Sequence, residues 1–247
     1  MSTPILVLAY HQFDNFKEFI KGFLKSSLAG SSNVWVVENY SVNTQKLFEP
    51  YIKNLVDRKL IYKYVLFHKN IANSAVQIVL DEFRDELFAE EFLIISDADL
   101  TFNWVQSHYE SLSILKCHPE NDFCSLRLNY SNLPVAKFKN TSEWIPNYIP
   151  SCCHFKGHGG IHFAHFRTSN LKNYVRDAMA NGQPFLDSEV NRYLICNHFT
   201  PCTTRTNTAI HLTWNDYNYS TEYFREKENL PSDLWTKFKC SSFDLHE

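Results

Sequence analysis

The first hundred residues alternate between short runs of apolar residues and stretches in which apolar residues recur every three or four positions. The apolar runs are Ile5 to Ala9, Val34 to Val37, Ile61 to Phe67 and Phe92 to Ile95. Runs of this kind are typical of strands that are buried on both faces of a parallel sheet. The intervening stretches predict three helices: Asp14 to Leu28 with Asp14 as its cap, Leu47 to Val56, and Ala75 to Leu87. This alternation predicts a doubly wound α/β sheet that binds ligands beyond the carboxyl ends of its strands.

The pattern is less regular after residue 100. It predicts helices over Trp104 to Lys116, Leu171 to Ala180 and Asp187 to Cys196, and strands over Phe123 to Leu128, Gly160 to Phe166 and Thr208 to Trp214. A polar stretch from Asn129 to Pro150 predicts a long functional loop. The simplest organisation is one domain, with a nucleotide-binding lobe over residues 1–100 and an acceptor-side lobe and tail over residues 101–247.

Composition excludes several classes of protein. With 24 Lys and Arg against 27 Asp and Glu, the net charge of -3 disfavours nucleic-acid binding. Seven cysteines without a C-x-x-C pair indicate reduced thiols, and no apolar run approaches the ~18 residues of a membrane span. We therefore expect a cytoplasmic protein. Only six glycines are present and neither glycine-rich phosphate motif occurs, so phosphate binding must depend on side chains, helix ends or a metal.

Two aspartates follow the fourth predicted strand, in the sequence Ser96-Asp97-Ala98-Asp99. Two carboxylates released together at the ligand-binding edge of a sheet repel each other unless a cation lies close by. A divalent metal site explains the pair, and a solvated turn explains it equally well when this segment is taken alone.

The order of these motifs resembles the GT-A fold glycosyltransferases, and most nearly the family 2-like enzymes. The resemblance covers about the first hundred residues, through Val36-Val37-Glu38-Asn39, His68-Lys69-Asn70-Ile71-Ala72-Asn73 and Ile94-Ile95-Ser96-Asp97-Ala98-Asp99. It implies a Rossmann-like fold with a mixed central sheet flanked by helices. The residues that it implies for binding the nucleotide-sugar donor are Ala9, Tyr10, Glu38, Asn39, Asn70, Asn73, Asp97 and Gly160. Ala72 stands where many family members carry glycine.

The resemblance also implies a divalent metal, Mn²⁺ or Mg²⁺, held by Asp97 and Asp99 beside the donor diphosphate. Family members often add a late histidine as a ligand, and His211 is the best match here. The alternative for His211 is a core histidine whose partner is a neighbouring side chain.

The segment from Phe185 to Arg192 resembles the acidic segment in which family members carry the general base. Asp187 is the matching residue, although Leu186 replaces the commonly paired glutamate. A carboxylate that removes the proton of an acceptor hydroxyl suits an inverting displacement. The alternative is that Asp187 caps the following helix.

A glycine-containing segment, Gly157 to Phe163, resembles the family's segment beside the donor sugar. The same region contains a candidate zinc cluster consisting of Cys152, Cys153, His154, His158, His162 and His165. Its spacing lacks a known zinc motif, and Gly159-Gly160 disfavours a helix, so the sequence argues against zinc.

The resulting expectation is a metal-dependent, inverting glycosyltransferase that uses a nucleotide sugar, with a UDP-sugar as the expected donor. The expected acceptor is a glycan or a lipid-linked glycan, with possible peripheral contact at the inner face of the membrane. Two alternatives stay open: a nucleotidyltransferase acting on sugar phosphates, and a non-catalytic sugar-binding module. The aromatic side chains of Trp104, Trp144, Tyr148, Trp214, Tyr217 and Tyr219 either form a sugar platform or, more commonly, pack in the core.

Overall fold

The structure of the protein is a computed structural model, which describes residues 2–132, 148–183, 185–216 and 243–247. Most of the predicted loop from Asn129 to Pro150 lies outside these residues, as do Trp144, Tyr217 and Tyr219. The following description applies to the described residues alone.

The first hundred residues form the predicted alternation of strands and helices. The elements are β1 (Thr3–Ala9), α1 (Phe13–Leu24), β2 (Ser32–Glu38), α2 (Gln45–Asp57), β3 (Lys63–Phe67), α3 (Ser74–Glu82), α4 (Arg84–Leu87) and β4 (Phe92–Asp97). The first helix is shorter than predicted, because a separate 3₁₀ turn occupies Ser27–Gly30. Asp14 lies inside the first turn, where it pairs with Lys17 at 2.7 Å, and Gln12 holds the cap position.

The later part of the chain completes the sheet. Its elements are β5 (Leu100–Thr101), α5 (Trp104–Cys117), β6 (Asn121–Leu128), β7 (Ile149–Pro150), β8 (His154–Lys156), β9 (Phe163–Arg167), α6 (Thr168–Asn181), α7 (Asp187–Cys196), β10 (Thr200–His211) and β11 (Phe243–His246). The predicted strand from Gly160 begins only at Phe163. The strand predicted over Thr208 to Trp214 is the end of the longer β10, and a 3₁₀ turn over Leu212–Asp216 follows it.

All eleven strands belong to one mixed sheet, in the order β11-β3-β2-β1-β4-β9-β6-β10-β8-β7, with β5 paired to β10. The strands β1 to β4 are parallel to one another, whereas β9 runs antiparallel between β4 and β6. Successive side chains of a strand point to opposite faces, and both faces of β1 are covered. Ile5 and Val7 belong to the core with Phe16, and Leu6 belongs to the opposite core with Val76. The predicted fold class is confirmed.

The strand β11 forms one edge of the sheet. It pairs antiparallel with β3, with Phe243 opposite Phe67 and His246 opposite Tyr64. Lys63 reinforces this edge through an ion pair with Glu247, in which Nζ lies 2.7 Å from the carboxylate.

No helix within the described ranges combines the length and the apolar character that crossing a lipid bilayer requires.

Candidate active site

The three predicted metal ligands come together beyond the carboxyl end of β4. Asp97 ends β4, Asp99 follows in the next turn, and His211 ends β10. Because β10 pairs with β5, with His211 opposite Leu100, the histidine is brought beside the Asp97-Ala98-Asp99 turn. Their candidate ligand atoms all lie within 4.8 Å of one another. Two carboxylates and an imidazole are a suitable donor set for Mn²⁺ or Mg²⁺.

Hydrogen bonds and ring contacts hold this cluster in position. The Thr213 hydroxyl donates to Asp99 Oδ2, and His211 Nδ1 lies 3.3 Å from the same oxygen. The rings of His211 and Trp214 stack with a centroid distance of 5.2 Å and an interplanar angle of 4°. The His211 side chain retains 16% exposure, so it lies at the edge of the core beside Asp99.

Two of the predicted aromatic platform residues have different environments. Trp104 is buried among Phe19, Phe23 and Phe163, so the packing interpretation is correct for this residue. Trp214 instead lies beside the metal cluster, where the ring of Tyr130 stacks on it at 5.8 Å.

The glycine segment between β8 and β9 lies against the start of α7. Asn191 holds Gly159 through two backbone contacts: its Oδ1 accepts from the Gly159 N–H at 3.2 Å, and its Nδ2 donates to the Gly159 carbonyl at 2.9 Å. A Cβ added at Gly159 would lie 3.0 Å from the Phe123 ring and closer still to the Ser125 hydroxyl. Only glycine fits here without displacement of β6 side chains. Asn191 is not among the predicted site residues; its signal in the sequence is a polar residue between the apolar Val190 and Leu194.

His162 connects this segment with the acidic turn. Its backbone carbonyl accepts a hydrogen bond from the Asp97 N–H at 2.8 Å. Its ring Nε2–H donates to the Leu126 carbonyl at 2.6 Å, which leaves Nδ1 as the unprotonated nitrogen. Burial lowers the pKa of His162 to about 4, so the ring is neutral at physiological pH. In the sequence, His162 belongs both to the glycine-containing segment and to the candidate zinc cluster.

The ring of His162 also lies beside Gly160 and Asp187. A Cβ added at Gly160 would lie 2.7 Å from His162 Cε1, closer still to Nδ1, and 3.3 Å from Asp187 Oδ2. Gly160 therefore permits a close approach between the ring and the backbone. The approach to the donor sugar that the resemblance implied for this segment stays a prediction.

Asp187 is the first residue of α7, and Leu186 holds the cap position. The interpretation of Asp187 as the helix cap is therefore wrong. Although the residue as a whole is exposed to solvent, neighbouring protein atoms crowd its carboxyl group. The resulting loss of hydration raises the pKa of Asp187 to about 6, and backbone hydrogen bonds from Ile161 and Asp187 itself partly oppose the rise. The group is ionised at neutral pH yet remains more basic than an ordinary aspartate.

Glu38 and Asn39, the predicted base-binding residues at the end of β2, make hydrogen bonds to other residues of the protein. The Tyr64 hydroxyl donates to the carboxyl group of Glu38, and Glu38 is only 1% exposed. Burial raises the pKa of Glu38 to about 8, against the opposing effect of the Tyr64 hydrogen bond. The Asn39 side chain accepts from the Ile71 N–H at 2.8 Å and donates to the Ala72 carbonyl at 3.0 Å. Recognition of a nucleotide base by Glu38 and Asn39 stays a prediction.

The remaining predicted donor residues lie at the same edge of the sheet. The Ala9 carbonyl accepts from the Asn39 N–H at 2.8 Å, and the partly exposed Tyr10 follows β1. Asn70 accepts from the Ala72 N–H at 2.9 Å, and the partly exposed Asn73 precedes α3. Ala72 has a φ of 50°, a left-handed conformation that favours glycine, which gives a physical reason for the glycine that many family members carry there.

The fold is that of the GT-A glycosyltransferases. A mannosyltransferase from Pyrobaculum calidifontis, solved in complex with GDP-Man and Mn²⁺, matches at a TM-score of 0.59 and 14% identity, over 85% of this chain and 56% of that one. TarS of S. aureus in complex with UDP matches at 0.58 and 11% identity, over 92% and 69% of the two chains. GalNAc-T7 with UDP, GalNAc and Mn²⁺ matches at 0.58 and 8% identity, over 85% and 44%.

Sequence comparison finds relatives in Acanthamoeba polyphaga mimivirus, and no family model matches the chain. Two uncharacterized mimivirus proteins match at 31% identity over 252 residues and at 34% identity over 246 residues. These alignments cover 99% and 91% of this chain, but only 34% and 27% of the relatives. A third uncharacterized mimivirus protein matches at 28% identity, over 99% of this chain and 50% of its own length. The chain thus spans half or less of the length of these relatives.

Proposed function

We propose that the protein is a metal-dependent glycosyltransferase that moves a sugar from a nucleotide-sugar donor to the hydroxyl group of a glycan or lipid-linked glycan. The observation that carries this proposal is the convergence of Asp97, Asp99 and His211 at the carboxyl edge of β4 in a GT-A fold. We further propose that residues 1–247 form one such domain and that the donor is a UDP-sugar.

The residues proposed to hold the metal are Asp97, Asp99 and His211. A Mn²⁺ or Mg²⁺ ion held there would neutralise charge on the diphosphate of the donor. The chain's own contribution is to hold these ligands in position, because Thr213 and the backbone of Leu212 both bond to Asp99, and Leu212 N lies 2.8 Å from the Asp99 carbonyl. The acidic turn and the last turn of β10 therefore form a connected unit.

Asp187 is the proposed general base. It would accept the proton of the acceptor hydroxyl as the hydroxyl oxygen bonds to the anomeric carbon and the bond from that carbon to the diphosphate breaks. Attack from the face opposite the leaving group inverts the anomeric configuration. The pKa of about 6 supports this role, since the carboxylate is unprotonated at neutral pH and still basic enough to accept a proton.

The metal site is tested by ligand-dependent thermal stabilisation and by transfer. UDP-, GDP-, CMP- and dTDP-sugars are added with and without Mn²⁺, and stabilisation by the correct donor is expected to require the metal. Asp99→Asn is expected to abolish this metal-dependent shift and lower transfer by roughly 10²- to 10³-fold. Asp14→Asn is the matched control, because Asp14 is an exposed aspartate on α1.

The reaction class is tested by its products. A glycosyltransferase releases nucleoside diphosphate from the nucleotide sugar, whereas a nucleotidyltransferase acting on a sugar phosphate releases pyrophosphate from a nucleoside triphosphate. Anomeric proton NMR of the glycoside reports inversion or retention. Donor stabilisation that is independent of Mn²⁺, or transfer that survives Asp99→Asn, would refute the metal site.

A further inference from the structure

A second cluster of metal-binding side chains lies at the amino-terminal end of β6. His118 follows α5, while Cys152, Cys153 and His154 lie at the start of β8. Their candidate ligand atoms all lie within 4.8 Å of one another. The sequence groups Cys152, Cys153 and His154 with the later histidines at positions 158, 162 and 165. In the structure the fourth member of the cluster is instead His118, which is distant in sequence.

The other histidines of that group have different environments. His158 is exposed, and His162 bonds to the Leu126 carbonyl beside the candidate active site. His165 is buried in β9, with its Nε2 3.0 Å from His108 Nδ1.

Three of the six separations between the four ligand atoms match those of a zinc tetrahedron. Zinc bonds of about 2.3 Å to sulfur and about 2.0 to 2.1 Å to nitrogen place two sulfurs ~3.8 Å apart and a sulfur and a nitrogen ~3.6 Å apart. The Cys152 and Cys153 sulfurs are 3.7 Å apart. Cys152 Sγ lies 3.6 Å from His118 Nε2, and Cys153 Sγ lies 3.6 Å from His154 Nδ1. A fourth pair, Cys153 Sγ and His118 Nε2, is closer, at 3.2 Å.

The nitrogen of each imidazole that faces away from the cluster has a polar neighbour. His118 Nδ1 lies 3.2 Å from a Glu120 carboxylate oxygen, which matches the carboxylate–histidine–metal arrangement of many zinc sites. The buried Nε2 of His154 lies 3.3 Å from the Asn121 amide nitrogen, while the buried Asn121 Oδ1 has no hydrogen-bond partner. Rotation of this amide by half a turn would give His154 Nε2–H an oxygen acceptor, as binding of a metal through Nδ1 requires.

We propose that His118, Cys152, Cys153 and His154 bind one Zn²⁺ ion in a structural site. Each thiol loses its proton to solvent when the sulfur bonds to zinc, and two thiolates and two neutral imidazoles give a site without net charge. Four protein ligands complete the tetrahedron and leave no position for a substrate. Thiolate ligands select zinc over Mn²⁺ and Mg²⁺, so this site and the proposed active-site metal differ in chemistry.

The position of the cluster indicates that zinc would have a structural role. It joins the residues that begin β8 to the end of α5, and β8 pairs with β10 through His154 opposite Thr204. The segment that directly follows β8 contains Gly159 and Gly160. Zinc binding would therefore fix the amino-terminal end of the glycine segment, and this inference does not depend on which reaction the protein catalyses.

The test is the zinc content of the full chain. Protein purified under reducing conditions is dialysed against excess Mg²⁺, and zinc is measured by mass spectrometry. We expect about one zinc ion per chain in the wild type. Cys152→Ser combined with Cys153→Ser should reduce this content at least tenfold. Cys196→Ser, which removes an exposed cysteine at the end of α7, and Asp99→Asn should both leave it unchanged.

Cobalt substitution tests the same site in the wild type, so it applies even if the double variant fails to fold. Wild-type protein loaded with Co²⁺ should show sulfur-to-cobalt charge-transfer absorption and the intense visible bands of a tetrahedral site. A zinc chelator that is strong enough to compete with cysteine thiolates should lower the melting temperature of the wild type. A wild type that is devoid of zinc and gives octahedral cobalt spectra would overturn the proposal, as would a double variant that keeps its zinc.

Discussion

Replacement of Gly160 by alanine tests the packing between the glycine segment and the proposed base. The added methyl group would lie 2.7 Å from His162 Cε1 and closer still to Nδ1, whereas ordinary van der Waals contact begins at 3.4 Å. The ring cannot swing away freely, because its Nε2–H donates to the Leu126 carbonyl at 2.6 Å and the residue is buried. Asp187 Oδ2, which would lie 3.3 Å from the added methyl carbon, limits movement of the methyl group on the other side.

The expected cost follows from these contacts. Overpacking of this kind destabilises proteins by about 1 to 3 kcal/mol. In a chain of this size each kcal/mol lowers the melting temperature by roughly 2 to 4 °C. A displacement on the order of 1 Å at the site is expected to lower kcat by about 10²-fold, because the base and the acceptor no longer meet in the reactive geometry.

The assay is a double-mutant cycle measured by thermal or urea unfolding, together with transfer kinetics. Gly30→Ala is the matched control, since a Cβ added there meets nothing within 4 Å. In a His162→Ala background the obstructing ring is gone, so Gly160→Ala should cost less than about 0.5 kcal/mol. An equal cost in both backgrounds would show that the clash with His162 is not the cause.

Three further predictions concern neighbouring groups. Asp187→Asn should lower transfer by about 10²- to 10⁴-fold without weakening donor binding, and wild-type transfer should rise with pH through about 6, where Asp187 loses its proton; a flat profile would contradict the base assignment. Burial raises the pKa of Glu38 from 4.5 to about 8, so the stability of the wild type should fall as pH rises through this interval. Glu38→Gln lacks this loss and should melt higher than the wild type at pH 8 but not at pH 5. Equal melting temperatures at both pH values would show that the Glu38 carboxyl is already ionised in the folded protein. Asn191→Ala leaves the Gly159 N–H and carbonyl unpaired and should cost about 1 to 3 kcal/mol in urea unfolding; a loss within experimental error would show that water replaces the amide.

The sequence pattern predicts the first half of the fold well, because buried parallel strands are continuous apolar runs. It does not predict β10 over its full length, since the stretch from Thr200 to Asn207 is polar and threonine-rich. Those residues join the sheet because β6 and β8 flank them on both sides, which is a tertiary effect. The short strands β7 and β8 offer too few residues for any periodicity to appear.

The candidate site, like the fold, is predictable from the sequence only in part. Asp97 and Asp99 are predictable because a buried strand delivers them to the edge of the sheet, and His211 because of the resemblance. Asn191 was missed because its side chain bonds to the backbone of Gly159 and Asp187, and sequence carries no direct signal of backbone partners. His118 was missed because it is far along the chain from Cys152 and only the packing of α5 beside β6 brings it close.

The pairing of β11 with β3 has a consequence for biosynthesis. Residues 243–246 are synthesised long after β3, so the outer backbone N–H and carbonyl groups of β3 are unsatisfied while most of the chain emerges from the ribosome. An apolar strand in this state, from Lys63 to Phe67, can pair with strands of other nascent chains. Folding yield should therefore depend on chaperone access during this interval more than the stability of the finished sheet would suggest.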